Sequence, residues 1–129
     1  MKHAEIAQFK TPIVPPGTFT FSGHWQNELK SFMDLVIGGD KVSGSYVSAV
    51  SETGGPTQPF PLIGTVAGDL TSFTVNWGSA ITAWIGHGVI DHGAPKILTL
   101  WHLVQTVQDD TDPDQQWKMV LAGADEFTR

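Results

Sequence analysis

The chain lacks cysteine altogether and carries little positive charge. Without cysteine, disulfide bridges, thiolate zinc sites and cysteine nucleophiles are excluded. The 7 Lys and Arg are outnumbered by 13 Asp and Glu, and a net charge of −6 argues against nucleic-acid binding, which needs a basic surface. Apolar runs are far shorter than the roughly 20 residues that cross a bilayer, so we predict no membrane partner. Residues 1–6 lack the apolar stretch of a signal peptide, and the localisation stays unknown.

Motifs of catalysis and metal binding are also scarce. No nucleophile–base pair and no glycine-rich phosphate loop is recognisable. His87, Asp91 and His92 have the side chains of a zinc or iron site, but the two histidines have opposite strand parity and should point to opposite faces. The acidic run from Asp109 to Asp114 lacks the glycine and the closing glutamate of a calcium loop. We therefore predict a non-enzymatic protein with no metal and no cofactor.

What the chain has instead is turn residues between short alternating segments. Its 14 Gly and 8 Pro are spread throughout, and no long window keeps the 3.6-residue period of a helix. Runs rich in β-branched and aromatic residues are bounded by tight turns such as Gly38-Gly39-Asp40 and His92-Gly93-Ala94. The pattern predicts eight strands: 19–27, 31–37, 41–50, 61–67, 70–77, 81–91, 95–105 and 115–127.

Sequential strands with short connections predict an all-β fold, an eight-stranded antiparallel up-and-down β-barrel. A barrel of this size has an interior that can hold one small ligand. The length of 129 residues suits one domain, which we place at residues 19–129. Residues 1–18, with Pro12, Pro15 and Pro16, are predicted to form a flexible arm. An arm that packs on a neighbouring subunit is the alternative.

Several predicted strand faces combine tryptophan with small polar residues. Residues two apart in a strand point to the same side, and three faces show the mixture: Trp25 with Asn27, Thr82 with Trp84, and Thr99 with Trp101 and Leu103. Burying a polar group costs about 1–3 kcal/mol unless it is hydrogen-bonded, so a core that serves only stability seldom contains so many. A pocket for a small ligand with a polar head needs this mixture.

The opposite faces of the last two predicted strands are apolar. The outward residues are Leu98, Leu100, His102 and Val104 on one strand, and Val120, Ala122 and Ala124 on the other. A solvated barrel exterior should be polar at these positions, and a patch of this kind usually marks an interface. We predict a homo-oligomer with these two strands at its main contact.

Seven short motifs follow one another between residues 23 and 129. They are GHWQNELKS at 23–31, GSYVSAV at 44–50, PLIG at 61–64, FTVNW at 73–77, TAWIG at 82–86, TLWHL at 99–103, and WK at 117–118 with GADEFT at 123–128. No single motif is diagnostic, but together and in this order they resemble the avidin/streptavidin family of biotin-binding proteins. The resemblance covers nearly everything except residues 1–18.

The resemblance implies a biotin site with a polar end and an apolar wall. Asn27, Ser31 and Tyr46 would donate hydrogen bonds to the ureido oxygen as a small oxyanion hole. Ser48 and Asp125 would accept hydrogen bonds from the two ureido N–H groups. Thr82 would face the thioether sulfur, and the apolar contacts would come from Val50, Trp77, Trp84, Trp101 and Leu103.

The family pattern also implies partners and one departure. It implies a homotetramer in which Trp117 reaches into a neighbouring subunit's site, and family members are often secreted. Two positions before Thr82 the family commonly has a serine that binds the ligand's carboxylate, whereas this chain has Ala80. Ser79, or backbone N–H groups near residues 52–54, would have to replace it.

Other interpretations of the same residues stay open. A lipocalin-like carrier of another small hydrophobic ligand would use the same barrel, but it would not need the converging polar set of Asn27, Ser31, Tyr46 and Asp125. A barrel enzyme that uses histidine and aspartate groups would be expected to hold stoichiometric metal. Taken singly, each tryptophan also has an explanation in core packing, and Asn27 and Ser31 have one in turn formation.

Overall fold

The molecule is a closed barrel of antiparallel strands, each hydrogen-bonded to the next along the chain. The computed structural model describes residues 19–49, 58–106 and 120–129. The strands are β1 (Gly23–Asn27), β2 (Phe32–Gly38), β3 (Lys41–Val47), β4 (Phe60–Ala67), β5 (Leu70–Asn76), β6 (Ala80–Asp91), β7 (Ala94–Gln105) and β8 (Val120–Thr128). The prediction of an all-β, eight-stranded up-and-down barrel is confirmed. In the part of the chain that the structure describes, no helix has the length and apolar character to cross a membrane.

Most predicted strand boundaries agree with the structure to within a residue or two, and the first strand is the main exception. It begins at Gly23 instead of residue 19, because the chain bends at Gly23 (φ 113°). The third strand ends at Val47, not at residue 50. The predicted arm (1–18), most of the loop after the third strand, the acidic run near residue 110 and residues 115–119 of the last predicted strand lie outside the described residues.

Tight turns place the connections at two opposite ends of the barrel. The β6–β7 turn contains only His92 (φ 51°) and Gly93 (φ 80°), which suits the type I′ hairpin, where both central residues have positive φ. Because the strands alternate in direction, the turns after β2, β4 and β6 lie at one end, called the closed end below. The connections after β1, β3, β5 and β7 lie at the other, called the open end.

Aromatic packing fills the closed end around Trp25. Its ring is fully buried, and its Nε1–H donates a 2.7 Å hydrogen bond to the carbonyl of Phe21. Phe19 stacks on one side with a centroid separation of 6.1 Å, and the Arg129 guanidinium lies 3.9 Å from the ring centroid. Arg129 also donates to the carbonyls of Ser22 and Thr20 at 2.8 and 2.9 Å. Trp25 is therefore a core residue, although its strand face resembled that of a ligand site.

We expect Trp25→Phe to lower the free energy of unfolding by about 1–3 kcal/mol, because the Phe21 carbonyl loses a buried hydrogen bond and the smaller ring leaves a void. Urea unfolding followed by circular dichroism measures the change. Leu29→Ala is the control, since Leu29 is 64% exposed and its truncation should change stability little. Equal stability of Trp25→Phe and the parent would contradict this account of the closed end.

Candidate ligand-binding site

Inward-facing residues from both ends of the chain meet at the open end of the barrel. Strand pairing places Thr82 opposite Leu103, Trp84 opposite Trp101, and Thr99 opposite Asp125. The β1–β8 pairing, with Asn27 opposite Phe127, brings the first strand beside the last. The most deeply buried polar and aromatic members of this set are Asn27, Ser31, Tyr46, Thr82, Trp84 and Thr99.

The Asn27 side chain organises the polar end of the site. Its Oδ1 accepts the backbone N–H groups of Leu29 and Ser31, both at 3.0 Å, as the chain turns from β1 into β2. These two bonds fix which end of the Asn27 amide is the oxygen. The Nδ2 end is therefore the donor, and it donates to the Tyr46 hydroxyl oxygen at 3.4 Å. The Ser31 Oγ accepts the Ala49 N–H at 3.0 Å. The acceptor oxygens of Asn27 and Ser31 are thus occupied by the protein's own N–H groups, and their remaining hydrogens are donors.

Tyr46 is held as a neutral phenol. Burial raises the pKa of Tyr46 to about 12, although a hydrogen bond from Ser31 acts in the opposite direction. Nearby negative charge on Asp125 and Glu28 adds to the effect of burial. At neutral pH the Tyr46 hydroxyl therefore keeps its proton and can donate it in a hydrogen bond.

Asp125 lies opposite these donors, and its carboxylate is bound by the Trp84 indole. The Trp84 Nε1–H donates to Asp125 Oδ2 at 3.0 Å. Burial is the main cause that raises the pKa of Asp125, and the negative charge and hydrogen bonding of Glu28 add to it. Hydrogen bonds from Trp84 and Asn27 partly oppose this rise. Sequence reasoning missed Glu28, because a charged residue in a hairpin turn has no pattern that distinguishes it from an ordinary surface residue.

Aromatic side chains form a wall beside the polar end. Tyr46 contacts Trp84 with a centroid separation of 4.9 Å and meets Trp77 edge-on at 5.8 Å. The Trp77 Nε1–H donates to Thr82 Oγ1 at 2.8 Å, which fixes the indole at the barrel mouth. Phe60, at the start of β4, packs on Trp77 at 4.9 Å. Its contribution was not predicted, since the sequence pattern placed it in a loop.

Trp101 depends on a glycine in the neighbouring strand. Trp101 pairs with Gly123 across the β7–β8 ladder, and a Cβ atom at position 123 would collide with the indole ring. Glycine therefore allows this ring to lie against β8. Trp101 and Leu103 are half-buried, as expected of side chains near the opening of a pocket.

The remaining predicted residues fall into three groups. Val50 and Trp117 lie outside the described residues, and Ser48 is half-buried just beyond the end of β3. Ala80 begins β6 on the same strand face as Thr82, so this face carries a methyl group two positions before Thr82. Ser79 is exposed in the preceding turn. Within residues 19–49, 58–106 and 120–129, no group of three or more His, Cys, Asp or Glu side chains could hold a metal ion.

Comparisons with known proteins identify the family. A family model described as the Avidin family matches residues 16–129. The chain belongs to the avidin family. It is 32% identical over 119 residues to Afifavidin from Afifella pfennigii, covering 87% of this chain and 70% of that protein. It is 31% identical over 121 residues to Avidin from Gallus gallus, covering 85% and 78%.

A solved structure extends the family likeness to the fold. The crystal structure of a rhizavidin–biotin complex matches with a TM-score of 0.69 and 28% sequence identity, covering 83% of this chain and 97% of that one. The avidin-family barrel is therefore shared in architecture as well as in sequence. The polar and aromatic residues described above lie at its open end.

The raised pKa of Asp125 has a consequence for stability without ligand. For an acid whose pKa is higher in the folded state, stability is fully present below the unfolded-state pKa and is lost as the pH rises through the folded-state pKa. We expect Asp125→Asn to be more stable relative to the parent at pH 7 than below about pH 3, where the parent carboxyl is protonated in both states.

Urea unfolding of both proteins at several pH values provides the measurement. The control is Asp40→Asn, which removes an exposed turn carboxylate at the closed end. A stability difference between Asp125→Asn and the parent that stays constant with pH would show that the Asp125 carboxyl is not strained by burial.

Proposed function

We propose that this protein is a non-catalytic binder that holds biotin at the open end of its barrel. The observation that carries the proposal is the meeting of three donors, on Asn27, Ser31 and Tyr46, with one acceptor, the Asp125 carboxylate. A cyclic urea presents one acceptor oxygen between two N–H donors, which is the complement of this arrangement. Membership of the avidin family and the likeness to a biotin-bound rhizavidin support the same ligand.

The ureido oxygen would receive hydrogen bonds from the Asn27 amide and from the hydroxyls of Ser31 and Tyr46. Since these groups are already oriented, they act like an oxyanion hole and lose little entropy on binding. Asp125 and Ser48 would accept the ureido N–H groups. A carboxylate on this side polarises the urea toward its oxygen, so each hydrogen bond strengthens the others.

The rest of the ligand would lie against the aromatic wall. Thr82 Oγ1 already accepts the Trp77 N–H, which leaves its own O–H to face the thioether sulfur. Val50, Leu103 and three indoles would exclude water from the bicyclic ring and alkyl chain, and Trp117 of a neighbouring subunit would complete the enclosure. The three indoles are those of Trp77, Trp84 and Trp101. A lipocalin-like carrier of an apolar ligand would use the wall but leave the four polar groups unmatched.

We expect saturable binding of biotin by isothermal calorimetry and a rise in the thermal unfolding midpoint when biotin is added. We expect Asp125→Ala to weaken binding by several kcal/mol while the ligand-free protein stays folded, because the ureido N–H groups lose a charged acceptor. The matched control is Asp40→Ala, which removes a carboxylate at the closed end. Absence of heat and of a melting shift with biotin would reject the function, and unchanged affinity in Asp125→Ala would reject the assigned role.

We infer further that the protein assembles into a homotetramer through the outer face of β6, β7 and β8. Cross-strand pairing aligns three rows on this face, apolar except for His102: Ile81–Val104–Val120, Ala83–His102–Ala122 and Ile85–Leu100–Ala124. Ile85 and Leu100 are 63% and 62% exposed, and Ile81 and Val104 are each about half exposed. A contiguous apolar surface of this kind favours association with a second copy. The three rows contain every outward residue predicted from sequence except Leu98, which pairs with His87 and Glu126, and they extend the face onto β6.

We expect light scattering to give the mass of a tetramer for the parent and a smaller assembly for Leu100→Lys, because a charge placed within the face must lose water on association. Val36→Lys is the control, since Val36 is 62% exposed on the outer face of β2, away from the apolar rows. A monomer mass for the parent, or a tetramer for Leu100→Lys, would contradict the assignment of this interface.

A further inference from the structure

The short β5–β6 turn carries part of the aromatic wall of the proposed biotin site. It runs from Trp77 to Ala80, where β6 begins. The Trp77 N–H donates to the Ala80 carbonyl at 2.8 Å, and the Gly78 N–H donates to Asn76 Oδ1 at 2.9 Å. Gly78 has a φ of 101°, a conformation that glycine adopts at little cost. The position of the Trp77 indole therefore depends on how firmly this turn is held.

Strand β7 also holds this turn, through Thr106. Regular pairing of β6 with β7 ends where Ala80 lies opposite Gln105, and Thr106 continues it by one residue. The backbone N–H and the hydroxyl of Thr106 both donate to the Ser79 carbonyl, each at 2.8 Å. A carbonyl oxygen has two lone pairs, so these two donors occupy both. The turn is thus fixed from β7 as well as from within its own hairpin.

A similar arrangement lies at the closed end of the barrel. In the β2–β3 turn, the Asp40 carbonyl accepts the Thr65 hydroxyl at 2.8 Å and the Val66 N–H at 2.9 Å. Thr65 and Thr106 are both exposed, so we expect their hydroxyls to contribute similarly to stability. The two turns differ in what they carry. Residues 38–41 include none of the predicted ligand contacts, whereas residues 77–80 include Trp77.

Contacts on the Trp77 ring hold the indole at the barrel mouth only while its backbone stays in place. Its Nε1–H donates to Thr82 Oγ1 at 2.8 Å. Phe60 and Tyr46 contact the ring with centroid separations of 4.9 and 5.8 Å. A turn that loosened at Ser79 would let the indole move outward and would uncover the bound ligand.

We propose that Thr106 is a positioning residue that retains the ligand by holding the turn on which Trp77 lies. The inference rests on the proposed biotin site. Thr106 acts through Trp77, because its hydroxyl binds the Ser79 carbonyl and the indole is what the turn contributes to the wall. The polar groups that recognise the ureido ring are unaffected. Since differences between closely related complexes lie mostly in the dissociation rate, we expect loss of this hydroxyl to speed the release of biotin.

Thr106→Val tests the role of the hydroxyl, because valine keeps the shape of threonine and removes the donor. Labelled biotin is bound first, and its release is followed after an excess of unlabelled biotin is added. We expect release about fivefold faster than from the parent, the effect of one lost hydrogen bond. Thr106→Ser keeps the hydroxyl and should release biotin at the parent's rate.

Thr65→Val is the matched control, because it removes the equivalent hydroxyl at the closed end. We expect it to lower the thermal unfolding midpoint of the ligand-free protein about as much as Thr106→Val does. Its release of biotin should stay at the parent's rate. A purely structural role for Thr106 would make the two variants alike in release as well as in stability.

A double-mutant cycle with Trp77→Ala shows whether Thr106 acts through Trp77. Trp77→Ala removes the indole and should speed release by itself. With the indole gone, the further change Thr106→Val should alter the release rate by less than about twofold, because the turn has no ring left to hold over the ligand. A full fivefold effect in the Trp77→Ala background would overturn the proposal.

The outcomes separate this inference from the proposed function. If the parent retains no biotin, the biotin site itself is wrong. If the parent retains biotin but Thr106→Val releases it no faster, or Thr65→Val or Thr106→Ser releases it as fast as Thr106→Val, the role of Thr106 is wrong and the biotin site stands. Should Thr106→Val fail to fold, Thr106→Ala removes the same hydroxyl and the same comparisons decide.

Discussion

The site depends on closure of the barrel between its first and last strands. Glu28 and Glu126 are 98 positions apart in the chain, yet they are joined by a hydrogen bond across the β1–β8 seam. Only two residue pairs form the backbone ladder there. Side chains supplement it, with Glu28 at the open end and Arg129 on the carbonyls of Thr20 and Ser22 at the closed end. Without this seam, Asn27 and Asp125 would have no common cavity.

The polar end of the site is organised before any ligand arrives. Asn27 is oriented by two backbone N–H groups, and the Ser31 oxygen by a third. Tyr46 keeps its proton because it is buried, and Asp125 is held by the Trp84 indole. Groups fixed in this way do not have to be ordered by the ligand, so more of the hydrogen-bond energy appears as affinity. The same burial strains the Asp125 carboxylate, and the stability of the ligand-free protein is reduced accordingly.

Strands β6, β7 and β8 use their two faces for different purposes. Their inner faces carry Thr82, Trp84, Trp101 and Asp125, and their outer faces carry the rows that include Leu100 and Val104. Successive side chains of a strand point to opposite faces, so the same short segment can line the site on one side and form the outer surface on the other. A change on one face can reach the other through the shared backbone. A tetramer formed through the outer face would therefore also hold the tryptophan wall in place.

The barrel itself was predictable from local pattern. Alternating apolar residues and turn signals such as His92-Gly93 specify strands and hairpins within short windows, and these interactions need no distant partner. The inward parity of Thr82, Trp84 and Trp101 followed from the same alternation. The start of β1 was wrong, because Phe19 and Phe21 have strand-like composition but are buried by folding over the closed end.

By itself, the sequence determined the strands, their two faces, the family resemblance and the residue types available to the site. Tertiary structure decided which of these residues meet. Trp25 shares a strand face with Asn27 yet packs in the core, and Phe60 joins the aromatic wall from a segment predicted as loop. Glu28 acquires its position beside Asp125 only when the barrel closes. The physical reason is that parity along one strand is a local property, whereas proximity across the seam depends on the register of all the strands between.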